Sequence, residues 1–494
     1  MRKDELKRII VTFSQAIKED PDQPHTYFYR GCAYGELGDQ KHAIADFDQV
    51  IKLNPRVANA YFNRGRSLME LGKFQRAAED FTKYLEYERE DSDAYFNRGC
   101  VYSELQEFRN ALDDFTKSIR YDPENSSAYY CRGIIYNEFG NRRLAVKDFS
   151  QTIELDPDNY EAYFARGCVF NELGWYNKAI ADFNAVLEND PDYFKAYFNR
   201  GRAYGEKKKY ANAIYDFTKF LEYVPDEPAA HFYRGVSFER SGEIEKAFED
   251  FSKAIEFAPD TPMYYVRRGR ILCDLGEFEA AADDLTKYIE MNPADITARF
   301  DRGYAFAQLE RYAEARADLL KFAKEFPDIG ATYYWIGVSD FHLEHFKSAI
   351  KNLTKYIEAT PDDDDGWFYR GRAYHKLHYY KKSLADFQKV LELNPTEPAA
   401  YYNCALAHRK LHDYKKAAEE FTKFLESVPD DLEAIHWRAI TYMELGELEL
   451  AAEDFSRILE IYPDDEDIYW LRQDCLQSPE DDDVADDSGT DETL

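Results

Sequence analysis

Apolar and polar residues along this chain follow two nested periods. At short range, apolar positions recur at spacings of three and four over stretches of helical length, the pattern of amphipathic helices. At long range the whole pattern returns every 34 residues. Glycine marks the phase at Gly31, Gly65, Gly99, Gly133, Gly167, Gly201, Gly235, Gly269, Gly303, Gly337 and Gly371, and the same step reaches Ala405 and Ala439. With Gly31 at position 8 of a 34-residue unit, thirteen units run from residue 24 to residue 465 without an insertion. Each unit holds two helical stretches separated near positions 14–16 by pairs such as Leu37-Gly38 and Phe139-Gly140. A proline at position 32, from Pro55 to Pro463, closes the second stretch in twelve of the thirteen units, Arg89 being the exception. The pattern predicts one helix hairpin per unit.

A single hairpin cannot bury its own apolar face, so stability has to come from stacking neighbours and from caps at the two ends. Residues 1–23 read as an N-terminal half-repeat, with Phe13, Ala16 and Pro21 in register with second helices. Residues 466–478 read as a C-terminal capping helix around Tyr469, Trp470 and Leu471, and 479–494 as an acidic tail. Glycine inside a helix costs about 1 kcal/mol against alanine, so its recurrence at position 8 implies close backbone approach. The expected opposite number is the small residue at position 20, Ala43 through Ala451, with Ser383 as the one substitution.

The first unit reads Tyr27-x-x-Arg30-Gly31-x-x-Tyr34, then Ala43-x-x-x-Phe47 and Pro55. This resembles the tetratricopeptide repeat signature at all but one marked place. The resemblance implies an all-α fold, a right-handed superhelical solenoid of antiparallel helix hairpins. It also implies a concave groove faced by positions 2, 5, 6, 9, 12 and 13 of the first helices. The departure is position 7, usually apolar in the family, which is Arg in eleven units from Arg30 to Arg438. Position 23 is Asp in the same eleven, from Asp46 to Asp454, and the two units lacking Arg, at Ile336 and Cys404, also lack Asp, with Asn352 and Glu420. A semi-buried guanidinium has to be paired, so this correlation predicts an Arg–Asp fork inside each hairpin. Position 27, usually Ala, holds rings such as Tyr84 and Phe220, and the unit 330–363 departs most, with Asp340 in place of an aromatic.

Groove positions supply the candidate binding residues. Position 5 is aromatic in eleven units, including Phe28, Phe62, Phe96, Tyr130, Phe164, Phe198 and Phe232, either as half-buried packing or as a stripe for apolar ligand side chains. Position 13 is Glu in six successive units, Glu36, Glu70, Glu104, Glu138, Glu172 and Glu206, either a solvated face or an acidic ladder. Asn63, Asn97, Asn199 and Asn403 at position 6 resemble partial asparagine ladders of long family members. Arg372, Lys376, Arg409 and Lys410 make the section between about 370 and 410 locally basic. Lys at position 5 and Asn at position 9, which chaperone adaptors of this family use to hold a C-terminal carboxylate, do not occur. The expected partner is a protein or peptide bearing basic and apolar residues. The rivals are a chaperone-like acidic shield for basic proteins and a docking subunit held constantly in a larger assembly.

Charge narrows the partners further. The formal net charge is −32, and residues 479–494 carry eight acids and no Lys or Arg, so nucleic acid and anionic membrane surfaces are excluded as expected partners. The acidic tail is expected to be able to fold back on the basic section. No stretch of about 18 apolar residues exists, and Ile9-Ile10-Val11 is too short for a signal peptide, so the expectation is a soluble cytoplasmic protein. Seven cysteines without a C-x-x-C pair read as reduced thiols, with Cys100 and Cys131 expected as groove neighbours. His342, His345, His375, His378, His408 and His412 recur at steps of 33 or 34 but sit on separate hairpins, too far apart to share one metal readily. No cofactor or metal is expected. Phosphate-binding glycine loops, G-x-S-x-G and H-E-x-x-H are absent, so the chain is read as a non-catalytic scaffold or adaptor.

Overall fold

The computed structural model describes residues 3–477. They fall into two compact units, Met1–Phe257 and Ala258–Leu494. Among the described residues there are 28 helices, Lys3–Glu19 through Glu466–Leu476, and no strand. In a typical hairpin the first (A) helix spans positions 1–13, as in Ser92–Glu104, and the second (B) helix positions 17–30, as in Phe108–Tyr121. Within each compact unit, every A helix packs on its own B helix and on the B helix before it. The tail expectation concerns residues that lie outside the described ones.

The core of each hairpin is one ring. Phe47, Phe81, Phe115, Phe149, Phe183, Phe217, Phe251, Phe387, Phe421 and Phe455, all at position 24, are at most 1% exposed. In the units that carry it, the position-8 glycine gives the position-24 side chain room, whereas Ala405 and Ala439 take the same place ahead of Phe421 and Phe455. A Cβ on Gly133 would stand 2.8 Å from Phe149 Cε1, and one on Gly99 2.8 Å from Phe115 Cε1, closer than real contacts allow. Position 20 is fully buried beneath the contact, and its backbone comes within 3.3 Å of a Cβ on Gly303 at Ala315 O; the nearest atoms, which the expectation did not include, belong to position 24. In hairpins 262–295, 296–329 and 330–363 the ring is replaced by Leu285, Leu319 and Leu353, whose Cγ atoms crowd the glycine in the same way.

Between the helices, position 15 always turns through the left-handed region. Seven units place glycine there, such as Gly140 at φ 71°, and six place Gln106, Lys208, Glu310, Glu344, His378 or His412 at φ 58–63°. Those six side chains carry the steric cost that glycine avoids.

All eleven Arg–Asp pairs form as forks. In hairpin 92–125, Arg98 Nε donates to Asp114 Oδ2 at 2.7 Å and Nη2 to Oδ1 at 2.8 Å. The same two bonds recur from Arg30–Asp46 to Arg438–Asp454. Burial raises the Asp114 carboxyl while the Arg98 fork holds it down, and the ring faces of Tyr95 and Tyr102 flank the guanidinium at 5.6 and 5.7 Å. A third arm was not anticipated. Nη1 crosses to position 25 of the preceding B helix: Arg64 to Asp48 at 2.6 Å, Arg98 to Thr82 at 3.0 Å, Arg200 to Asn184 at 2.7 Å. Within each compact unit, these arms join a hairpin to the B helix before it. The signal was present in the sequence, because the residues at position 25 ahead of the two Arg-less units are Leu320 and Gln388, where the others carry Ser, Thr, Asn or Asp. The C-terminal helix keeps this arm alone, Arg472 Nε donating to Ser456 Oγ at 2.7 Å.

Hairpin 330–363 reverses the arrangement. Ile336 is buried where Arg would stand, and the carboxylate moves to the A helix as Asp340, fully buried. It accepts from Arg316 Nε at 2.5 Å, Ser348 Oγ at 2.6 Å and Asn352 Nδ2 at 2.9 Å. Arg316 comes from the preceding B helix, and Asn352 in place of Asp avoids a second carboxylate beside Asp340.

Burial also lowers the basicity of four histidines in the second unit, His342, His375, His408 and His436. Arg372 adds to the effect on His342, which stacks on Tyr312 with centroids 4.2 Å apart.

Two predictions follow from this packing. Replacing Gln106 with glycine relieves the left-handed strain and raises the unfolding free energy by up to about 1 kcal/mol, net of the entropy glycine restores to the unfolded chain, which shows as a higher urea midpoint; an unchanged or lowered midpoint contradicts it. For the histidines, the folded pKa lies below the ordinary 6.5. The unfolded chain therefore binds more protons between those values, and stability present above pH about 6.5 is lost as pH falls through that window. Urea melts should give a lower midpoint at pH about 5.5 than at 7.5, with a shallower pH slope in a variant of the buried His408, His408→Gln.

Candidate functional site

Every candidate residue lies on an A helix. Phe28, Phe62, Phe96, Tyr130, Phe164, Phe198 and Phe232 at position 5 are all half-buried. Each leans on the buried position-24 ring of its own hairpin, with centroids 6.0 Å apart for Phe28–Phe47 and 5.8 Å for Phe198–Phe217. One side of the stripe is thus core, and the other is available.

Its availability is clearest at two apolar cavities built from the same repeat positions. One, of about 390 Å³, is lined by Phe164, Phe194, Lys195, Phe198, Asn199, Phe220, Val224 and Glu227. The other, of about 300 Å³, is lined by Pro24, His25, Phe28, Tyr29, Val50, Asn54 and Val57. Positions 1, 2, 5, 6, 27, 31 and 34 contribute to both. The position-27 residue forms part of each wall, Phe220 in the first and Val50 in the second. Where position 27 is Tyr84, its hydroxyl donates to Asp91 at 2.6 Å across the mouth of the loop. Sequence reading identified position 27 only as a departure from the family and not as part of the wall.

Glu36, Glu70, Glu104, Glu138, Glu172 and Glu206 are all exposed. Glu172 accepts from Arg142 Nε at 2.5 Å; the other five have no ion-pair or hydrogen-bond partner among the described residues. They form a row of free carboxylates on one edge of the face.

The asparagines of position 6 are partly committed. Asn63, Asn97 and Asn199 each donate from Nδ2 to the backbone carbonyl four residues earlier, at 2.8, 2.7 and 3.0 Å. Their Oδ1 atoms and second N–H groups stay open. Asn171 Nδ2 donates to the carbonyl of Asn199 at 2.8 Å, tying position 12 to position 6 of the next helix.

In the second unit, Arg372 lies with its guanidinium 4.6 Å above the Phe341 ring. Arg409 lies 4.6 Å above Trp437 and donates from Nη1 to its carbonyl at 3.3 Å. Burial holds the Arg409 guanidinium below its usual basicity. Lys376 and Lys410 at position 13 are exposed. Cys100 and Cys131, not joined by a disulfide, are neighbours on the A helices of the first unit, where a hydrogen bond from Cys100 to Cys131 and then burial raise the Cys100 thiol. The recurring histidines pair locally, His378 Nδ1 with Tyr380 at 2.7 Å and His412 Nδ1 with Tyr414 at 2.9 Å. No group of three or more His, Cys, Asp or Glu side chains among the described residues is placed to hold a metal ion. No helix among the described residues is long and apolar enough to cross a membrane.

Comparison with known proteins gives no matching curated protein. Among solved structures, the chain is similar to the Cut9–Hcn1 hetero-tetramer of the APC/C at 17% identity over 94% of this chain and 99% of that one, with a TM-score of 0.36. It is similar to YrrB, described as a TPR protein with an unusual peptide-binding site, at 28% identity over 37% of this chain and 95% of that one, with a TM-score of 0.35. A tetratricopeptide repeat protein from Parabacteroides merdae ATCC 43184 aligns at 23% identity over 50% of this chain and 97% of that one, with a TM-score of 0.37. Tetratricopeptide repeat family models match residues 28–95, 198–262, 266–328 and 402–466, and further ones match 92–125, 149–181 and 364–397. Over half of the sequence is covered in this way, and the chain belongs to the tetratricopeptide repeat family.

Proposed function

We propose that this protein is a non-catalytic, cytoplasmic interaction scaffold whose A-helix groove takes an extended or helical segment of a partner protein. In hairpins 24–227 the segment is one that carries basic and apolar residues. The observation that carries this reading is the row of exposed, unpaired carboxylates at Glu36, Glu70, Glu104, Glu138 and Glu206 beside a half-buried aromatic stripe. In a helix made stable by packing, glutamates near the C-terminal end gain nothing from the helix dipole, so a partner's cations would give them a use. The apolar cavities at Phe198 and Phe28 suit single hydrophobic side chains of the same segment.

The test is a labelled peptide of Arg, Lys and Leu titrated into the full chain and into E70K/E104K/E138K. The triple variant should bind it at least about tenfold more weakly, with unchanged helicity and urea midpoint, because none of the three side chains has a partner to lose. Equal binding by both chains overturns the reading. Binding that vanishes between low and moderate salt in every variant alike assigns it to overall charge instead, since exposed charges are screened over about 8–10 Å.

A further inference from the structure

We propose that a second site, on the A helices Asp364–Lys376 and Pro398–Lys410, binds a carboxylate-rich segment of a partner protein. It lies in the second compact unit and does not rest on the reading of the glutamate row in the first.

This patch gathers, on two touching helices, cations that no carboxylate neutralises, in a protein with 95 acidic and 63 basic residues. Every position-7 arginine is forked to an aspartate, yet Arg372, Lys376 and Lys410 make no ion pair or hydrogen bond with any described residue, and Arg409 bonds only a backbone carbonyl. Three acids of the adjoining hairpins are already held by other groups. Asp413 is held by Lys416 at 3.0 Å, Glu420 by Lys423 at 3.2 Å, and Glu433 accepts from Trp437 Nε1 at 3.4 Å. Glu444 acts on Arg409 only through space.

The two guanidinium groups are also held in place. Arg372 stacks over Phe341 and lies within 5.8 Å of the Phe368 and Tyr369 ring centres. Arg409 stacks over Trp437. Stacking on a ring face lowers the cost of burying the cation but leaves its N–H edge pointing away from the ring, where a carboxylate can accept two bonds. An arginine fixed in this way loses little side-chain entropy on binding. The cations also belong together. The two A helices touch, Lys376 and Lys410 both disfavour protonation of His375, and the buried His375 Nε2 beside them has no partner.

The spread favours a peptide. Four cations on two helices, separated by aromatic rings, suit several carboxylates along a chain with apolar side chains between them; one phosphate cannot reach them all. A long polyanion such as nucleic acid would meet the repulsion of a −32 chain over its whole length, whereas a short acidic segment experiences mainly this local field.

The experiment is fluorescence anisotropy of a fluorescein-labelled peptide of Glu, Asp and Phe added to the full chain at low and moderate salt. Saturable binding is expected, weakened at least about tenfold in K376E/K410E, whose exposed, unpartnered side chains leave the urea midpoint unchanged, and weakened similarly in Arg372→Gln. E70K/E104K/E138K should bind the acidic peptide no more weakly than the native chain, which separates this site from the glutamate row. Undiminished binding by K376E/K410E overturns the proposal, as does equal displacement by inorganic phosphate or tighter binding of a single-stranded oligonucleotide. Displacement by a peptide of residues 478–494 at lower concentration than the unlabelled probe assigns the face to the chain's own end and overturns a partner source.

Discussion

In eleven of the thirteen hairpins, one guanidinium fixes how the helices stack within each compact unit. The position-7 arginine is too buried to be left unpaired, and its three bonding edges reach two B helices at once: a fork onto Asp114 in the same hairpin and a single arm onto Thr82 in the one before, in the case of Arg98. A solenoid held only by apolar contact can slide or tilt at modest cost, because dispersion is non-directional. A planar fork cannot, since a shift of one residue would strand a charge in a poorly hydrated seam. The net stabilisation from each pair is small, and its main effect is specificity of stacking. The position-24 ring and its glycine then fill the space that the fork defines.

Relaxing this constraint coincides with the least regular section. Hairpin 330–363 has no position-7 arginine and instead buries Asp340 against Arg316, while hairpin 398–431 buries Cys404. The same stretch frees arginine for other work. Arg372 and Arg409 stand on the groove-side face, stacked on rings supplied by neighbouring hairpins, with no aspartate to quench them. In the first unit the face carries free carboxylates instead. Along this chain, the position-7 cation of the A helices is neutralised by its aspartate, while positions 9, 12 and 13 of the same helices carry charges without an ion pair.

Much of this was legible before any coordinates. Thirteen copies of one unit act as an internal alignment, so paired changes at Ile336–Asn352 and Cys404–Glu420 were enough to infer the fork. The third arm left an equally clear mark at Leu320 and Gln388, but it links different units and is missed when each repeat is read by itself. Small residues at positions 8 and 20 signal the close approach of the two helices, and only geometry reveals that Phe149 and its equivalents make the nearest contact with the glycine. On the groove face, the sequence supplied which residues are charged but not which are spent. Asn63 bonds its own helix and Arg409 stacks on Trp437, while Glu70 and Lys376 are free, and these distinctions depend on contacts between successive helices.

The most direct test of the fork is a double-mutant cycle on Arg98 and Asp114, read by hydrogen exchange of the amides in residues 74–121 of the full chain. Asp114→Ala should lower protection by about 3–5 kcal/mol, in residues 74–87 of the preceding B helix as well as in its own hairpin, because it leaves a buried guanidinium unpaired. Replacing both residues together by Met and Leu should recover most of that loss. Additive single effects, or a loss confined to hairpin 92–125, would contradict the account.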